Sequence, residues 1–212
     1  AKPYRDADEQ ERIDFGRWNR ISAGTEVKLA GALRTIVPNL DALIVNQQLT
    51  RGIYSRPVVQ AINALVREVP STLFFLDSRN MSEQFTGMIA KLNAAEAARV
   101  CGVDPSVAPQ SGVDSLRSFA QSIVARSGRP VFITRGEEGI LLYDGTTFHD
   151  LPPVPVAGPT DPVGAGDTTV SAIAAALAAG ATNSEAAELG NLAASVTVTK
   201  LRQTGTATPA EI

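Results

Sequence analysis

The stretch TDPVGAGDTTVSAIAAALAAG, Thr160 to Gly180, sets three small residues and an acid at the start of a long Ala-rich run. Gly164, Ala165 and Gly166 cost backbone order unless something has to come close to the main chain, and Asp167 follows them directly. The apolar run Val170–Ala181 is too short and too rich in Ala to span a membrane. It reads as a buried helix, expected over about Gly164–Ala179. The first amides of a helix are unpaired and its N-terminal end is positive. With no side chains over residues 164–166, an anion can sit directly on those amides. A carboxylate in the same turn would repel that anion. Asp167 is therefore better suited to taking the proton of a hydroxyl that attacks phosphorus. No Lys follows the glycines, as a P-loop requires, and Thr169 stands at the third Gly position of a dinucleotide fingerprint. The competing reading is a Pro-Gly turn whose glycines let helices pack closely.

Upstream of this turn the chain alternates short β-like runs with helical ones. LDALIVN (Leu40–Asn46) and STLFFLD (Ser71–Asp77) read as strands. Between them Val58, Ile62, Leu65 and Val69 fall on one face of a helix over about Pro57–Val69. A helix near Glu83–Met88, a short strand MIAKLN and a helix AAEAARVCG closing at Gly102 follow, then a helix over Val113–Arg126 with Leu116, Phe119, Ala120 and Ile123 inward. RPVFITRGEEGILLYDGTTFHDLP changes the rhythm to strand, Gly turn, strand, Asp-Gly turn, strand. A last helix is expected over Ser184–Thr199. Strand–helix alternation predicts a three-layer α/β/α sandwich with a mostly parallel sheet and an antiparallel meander at one edge. Ligands of such sheets sit beyond the carboxyl ends of the strands. Asp77, Asn93, Thr134 and the Gly164–Asp167 turn all fall just past predicted strand ends, so one crevice can hold them.

The 212 residues are 44% hydrophobic and 19% charged, which suits one globular domain over 1–212. With 17 Gly but only 7 Phe, 3 Tyr and 1 Trp, aliphatic and Ala packing must dominate. A net charge of −3 and the lack of basic runs argue against a nucleic-acid partner, and no membrane partner is expected. One Cys (Cys101) and one His (His149) exclude an internal disulfide and a Cys/His zinc site. A reducing, cytoplasmic setting is expected. The N-terminus shows no signal-peptide pattern and begins abruptly, without Met, at AKPYRDADEQERIDFG, which suggests a start inside a longer protein.

Four motifs in order carry a resemblance. Asp161-Pro162-Val163-Gly164-Ala165-Gly166-Asp167 resembles the D-T-x-G-A-G-D signature of the PfkB, or ribokinase-like, carbohydrate kinases, with Pro162 in place of the usual Thr. ITRGEEG (Ile133–Gly139) is similar to that family's T-x-G-x-x-G nucleotide loop, LNAAEA (Leu92–Ala97) to its N-x-x-E motif, and Asp77–Arg79 to its strand-end D-P-K/R. NLAASVTVTKLRQTGTATPAEI looks like the family's closing helix and loop. KPYR…RIDFG and ALIVNQQLTRG, the latter where many members have S-D-Y-x-K-G, are similar to the heptose-phosphate kinase domains of ADP-heptose synthases.

The resemblance implies phosphoryl transfer from ATP to a hydroxyl of a sugar or sugar phosphate. Asp167 would be the general base, and the amides of Gly164, Ala165 and Gly166 the anion hole. Thr134, Gly136, Glu137 and Gly139 would wall the nucleotide site, with Gly166 at its phosphates and Asn191 near adenine or ribose. Asn93 and Glu96 would hold Mg²⁺ through water, with Asn93 also at the nucleotide. Asp161 and Val163 would help bind a monovalent cation such as K⁺, faced by Thr197, Lys200, Arg202 and Thr206. By the resemblance this sequence would be a fragment lacking the family's N-terminal third, with its lid and most sugar contacts. Residues 1–35 would then return from the lid region, and the full-length protein would form a homodimer. Two alternatives stay open: a nucleotide-binding remnant without catalysis, and a kinase of a nucleoside or vitamin alcohol.

Each motif also has a plain structural reading. Asn93 and Glu96 have the spacing of a capping box. The RGEEG glycines can simply close a hairpin, and Asp77 can cap a following helix. His149 and Cys101 read as structural, Trp18 as a packing anchor or a sugar contact. Lys2, Arg5 and Arg12 read as solvated, Arg12 pairing with Asp14.

Overall fold

The computed structural model describes residues 4–5, 8–9, 20–49, 52–106 and 112–212. Lys2, Arg12, Asp14, Trp18 and the Arg5 side chain, assigned roles above, lie outside the described residues, as do Thr50 and Arg51. Strands β1 (Tyr4–Arg5) and β2 (Asp8–Glu9) form a short antiparallel ribbon. From residue 23 the order is α1 (Ala23–Ile36), β3 (Ala42–Gln47), α2 (Arg56–Glu68), β4 (Leu73–Ser78), β5 (Ile89–Asn93), α3 (Ala94–Val100) and α4 (Val113–Ser127). The meander β6 (Val131–Thr134), β7 (Ile140–Tyr143) and β8 (Phe148–Leu151) follows, then α5 (Ala165–Ala178) and α6 (Asn183–Val198). The sheet runs β3-β4-β5-β6-β7-β8, parallel from β3 through β6 and antiparallel across β7 and β8.

Side chains alternate across this sheet because successive Cβ atoms point to opposite faces. Phe75, Ile89, Phe132, Ile140 and Leu142 face α5 and α6, packing on Val170, Ile173, Ala174 and Ala187. Phe74 and Leu76 face α2 and its Val58, Ile62 and Leu65. Ala90, Val131, Ile133 and Leu141 face α3 and α4. Helices on both faces make the three layers predicted from the alternation. No described helix is long and apolar enough to cross a membrane.

Two local expectations fail. The helix expected near Glu83–Met88 is one 3-10 turn, Ser82–Gln84, after which Phe85 and Met88 drop into the core as extended chain. Gly87, at φ +70, interrupts any helical continuation there. Conversely, α1 was not anticipated: AGTEVKLAGALRTI has no fully buried residue and hence a weak apolar stripe. It is started instead by Ser22, whose Oγ accepts from Thr25 N at 3.2 Å.

Candidate active site

The pairing register fixes the floor of the site. Ile44, Phe75 and Ile89 lie side by side on β3, β4 and β5, an apolar row on the α5 face. Two residues further along, on that same face, the row becomes Asn46–Asp77–Lys91. Polar groups thus replace apolar ones where the strands reach the start of α5. A cavity of about 740 Å³ opens there. Asn46 on β3 and Gln48 just past it line the cavity, with Asp77 on β4 and Arg79 just past it, and Lys91, Asn93 and Glu96 from β5 and α3. Gly164, Gly166 and Asp167 close one side, and Arg202 to Thr204 another. This is the position expected for ligands of a parallel sheet.

Lys91 Nζ donates to Asp77 Oδ2 at 2.8 Å, with the two side chains 7% and 4% exposed. Burial pushes the Asp77 carboxyl above its ordinary range. The Lys91 ammonium works against that shift, and the Asp167 charge adds to it. Asp77 is therefore half of a buried ion pair, not the helix cap that its strand-end position allowed. Lys91 also lies against the glycine turn: a Cβ on Gly166 would sit 3.1 Å from its Nζ. Gly166 thus leaves the ammonium in reach of whatever approaches the helix start.

Gly164 answers a different demand. It is the N-cap of α5 at φ +91, and a Cβ there would meet the Gly205 carbonyl oxygen at 2.5 Å. The close approach at this position comes from the chain's own closing loop. The loop is knitted to the turn by Gly205 N to Val163 O at 3.0 Å and by Asp161. The two Asp161 oxygens accept from Val163 N and Arg202 N, each at 3.0 Å. So the packing reading holds for Gly164, while Gly166 faces the cavity. Ala165 N already donates to Pro162 O at 3.1 Å. The amides of Gly164, Gly166 and Asp167 donate to no acceptor among the described residues, as a helix start leaves them. Asp167, exposed in the first turn, accepts from Asn46 Nδ2 at 2.9 Å.

Asn93 and Glu96 form the capping box that their spacing allowed. Glu96 N donates to Asn93 Oδ1 and Asn93 N to Glu96 Oε2, both at 2.8 Å. Both also line the cavity, and Glu96 Oε1 takes no hydrogen bond from the described residues. Burial raises the Glu96 carboxyl above its usual range, and the Asn93 amide opposes this. The two readings coexist in one pair of residues. Among the described residues no group of three or more His, Cys, Asp or Glu forms a metal cage. A hard cation here would keep most of its waters, as Mg²⁺ does, so the pair fits Mg²⁺ held in that way.

The remaining predicted residues lie outside the lining of this cavity. Thr134 pairs in register with Asn93, and its Oγ1 donates to Leu92 O at 3.4 Å. Gly136 and Glu137 form a 3-10 turn ending at Gly139, which packs on the Leu151 carbonyl. Arg135 N donates to Gly139 O at 2.8 Å, closing the hairpin, and the Arg135 guanidinium holds Asp150. Asn191 is buried, its Nδ2 donating to Pro152 O at 2.8 Å and Leu151 O at 3.3 Å. Thr197 is fully buried, and Lys200 bonds Thr206 O and Glu211 within the closing loop. His149 lies between Asp144 and Ser184, at 3.3 and 3.1 Å, a tie between the β7–β8 turn and α6. Cys101 is half-buried against Phe119 O. Sequence reasoning passed over Asn46, Gln48, Lys91, Gln203 and Thr204 as cavity residues, and it placed Arg202 only in the loop facing a cation. A Lys inside the apolar strand IAKLN was the readable signal for one of them.

Residues 75–211 match the family described as pfkB family carbohydrate kinase. The chain is 32% identical over 206 residues to the bifunctional protein HldE of Trichlorobacter lovleyi, covering 95% of this chain and 40% of that protein. It is 29% identical over 204 residues to the HldE of Geobacter metallireducens, again covering 95% and 40%. The chain thus spans about 40% of the length of these curated relatives. Among solved structures, phosphofructokinase-2 from Escherichia coli in complex with potassium superposes with a TM-score of 0.77 at 21% identity, covering 91% of this chain and 61% of that one. Arabidopsis thaliana ribokinase complexed with ribose and ATP gives 0.64 at 18% identity, covering 86% and 55%.

Proposed function

Since the chain belongs to the pfkB family of carbohydrate kinases, we propose that it carries the phosphoryl-transfer centre of an ATP-dependent kinase acting on a hydroxyl of a sugar or sugar phosphate. The observation that carries this reading is the meeting, in one cavity, of the α5 start, Asp167, Lys91 and the Asn93–Glu96 pair. Phosphoryl transfer asks the protein for positioning and for charge to meet the equatorial oxygens. The amides of Gly164 and Gly166 supply partial positive charge at the α5 N-terminus, beside the Ala165 turn, and Lys91 adds a full one behind Gly166. Asp167 receives the proton of the acceptor hydroxyl as its oxygen bonds to phosphorus and the bond to the departing ADP oxygen breaks. Asn93 and Glu96 would hold Mg²⁺ through water, and the ion when bound would neutralise phosphate charge. The β6–β7 hairpin, with Thr134, Gly136, Glu137 and Gly139, borders the nucleotide from the neighbouring strand. Asn191 acts there by fixing the chain that leaves β8. For a bound K⁺, Asp161 and Val163 serve by shaping the loop, because both Asp161 oxygens are engaged by backbone N–H groups.

The test is Asp167→Asn in the full-length protein, with ADP release measured over a panel of sugars, sugar phosphates, nucleosides and vitamin alcohols. Loss of a general base costs about 10²- to 10⁴-fold. Turnover near that of the unmodified protein would remove Asp167 from the role. Nucleotide binding by the unmodified protein with no turnover on any acceptor would favour a binding module.

A further inference from the structure

Asp167 is exposed on the first turn of a helix, where a short carboxylate has several rotamers open to it. A base that must meet a hydroxyl at hydrogen-bond distance needs one of them held. From the geometry we infer that Asn46 is the positioning residue for the Asp167 carboxylate, with Gln48 fixing which way the Asn46 amide faces. The inference rests on the reading of Asp167 as the base.

Three observations carry it. First, Asn46 Nδ2 donates to Asp167 Oδ1 at 2.9 Å, a bond between residues 121 apart in sequence. It leaves Oδ2 of the same carboxylate for the acceptor. Second, the amide is oriented. Gln48 Nε2 donates to Asn46 Oδ1, so the carbonyl end of Asn46 is occupied and its NH₂ end must point at Asp167. Third, the backbone under Asn46 is pinned. Asn46 pairs with Asp77 in the parallel ladder, and the half-buried Tyr54 donates its hydroxyl to Asn46 O at 3.2 Å. The adjacent Gln47 points to the opposite face, fully buried, where its Oε1 accepts from Ser78 Oγ at 2.7 Å. Period-two alternation thus sends Gln47 into the core as an anchor and turns Asn46 and Gln48 to the cavity. Asn46 exchanges no proton. It holds one oxygen of the carboxylate so that the other stays in line with the incoming hydroxyl.

The experiment compares Asn46→Ala and the near-isosteric Asn46→Asp with Asp167→Asn in the full-length protein, reading kcat, the KM for ATP and the melting temperature. A misplaced reacting group costs up to about 100-fold. Asn46→Ala is expected to lower kcat by about 10- to 100-fold, with ATP KM and melting temperature unchanged. Asn46→Asp is expected to lower it further, because it sets a second carboxylate against the first. Gln48→Glu, which draws the Asn46 NH₂ away from Asp167, is expected to lower kcat alone but to add nothing to Asn46→Ala, the mark of one acting through the other. In a labelled sample, Asp167→Asn is expected to shift the Asn46 side-chain amide resonances more than those of Gln47. Wild-type kcat in both Asn46 variants while Asp167→Asn is inactive overturns the inference and leaves the base in place. An unmoved Asn46 amide resonance overturns it as well. Activity retained in Asp167→Asn refutes the base itself, and the inference falls with it.

Discussion

Lys91→Met is the perturbation that probes the floor of the cavity most directly. It keeps the length and apolar stem of the side chain and removes only the ammonium. Asp77 would then stand 4% exposed with its 2.8 Å partner gone. The near-zero worth of exposed ion pairs does not apply at this burial. Breaking a buried pair from one side costs about 3–5 kcal/mol, because the remaining charge is neither solvated nor compensated. For a domain of this length each kcal/mol moves the melting temperature by about 2–4 °C, so a drop of about 6–20 °C is expected. The loss also acquires a pH dependence of known sign. Burial already holds the Asp77 carboxyl above its ordinary value, and Lys91 is the main opposing influence. Without Lys91 the carboxyl rises further, so over the window above the ordinary Asp value the folded state binds more protons than the unfolded one. Stability then falls as pH rises through that window, and the variant is closest to wild type in acid. Urea unfolding followed by circular dichroism at pH 5 and pH 8 measures both effects. Lys91→Met with Asp77→Leu, which removes both charges, is expected to recover most of the loss, since apolar replacement of a whole buried pair is often neutral or stabilising. A single variant that loses under about 1 kcal/mol at pH 8, or a double variant no more stable than the single, would refute the reasoning.

Two further substitutions separate packing from chemistry. Gly164→Ala forces a Cβ to within 2.5 Å of the Gly205 carbonyl at φ +91, so the turn and closing loop must separate. A loss of about 1–3 kcal/mol is expected in thermal unfolding, and an unchanged melting temperature would mean that the loop can shift at no cost. Glu96→Gln keeps an oxygen to accept from Asn93 N and so preserves the capping box, but removes the charge. The melting temperature is expected to hold while the Mg²⁺ concentration needed for half-maximal turnover rises, and equal Mg²⁺ dependence in both proteins would reduce the pair to a cap.

The sheet and its helices were legible because their signals are periodic and local. Phe74 and Leu76 alternate with Phe75, and the repeat Val58–Ile62–Leu65 gives α2 its buried face. The elements misread are those whose signals are weak or broken. Helix α1 buries nothing fully, and Gly87 interrupts the Glu83–Met88 segment despite its apolar residues. In the site, the residues found in advance sit within one motif each, as Asn93 and Glu96 do three positions apart. Those missed are defined by register. Asn46 and Lys91 flank Asp77, which its strand end had marked, only once three strands pair at one offset, and a slip of one residue would send either to the opposite face.

The same register explains why the polar row stands where it does. An apolar row continued past Ile44, Phe75 and Ile89 would meet the first turn of α5, whose amides of Gly164, Gly166 and Asp167 have no acceptor among the described residues. Unpaired donors facing an apolar floor would cost more than the burial returns. A floor of fixed charges and amides instead surrounds the helix start with groups that order water or an anion. The cavity carries Arg79, Lys91 and Arg202 against Asp77, Glu96 and Asp167. Lys91 is tied to Asp77 and lies behind Gly166, and Asp167 is held from the side by Asn46. The Lys91 ammonium, tied to Asp77, and the Asp167 carboxylate, held by Asn46, thus share one cavity without joining each other, which is the condition for a site that must attract an anion and receive a proton within the same few ångströms.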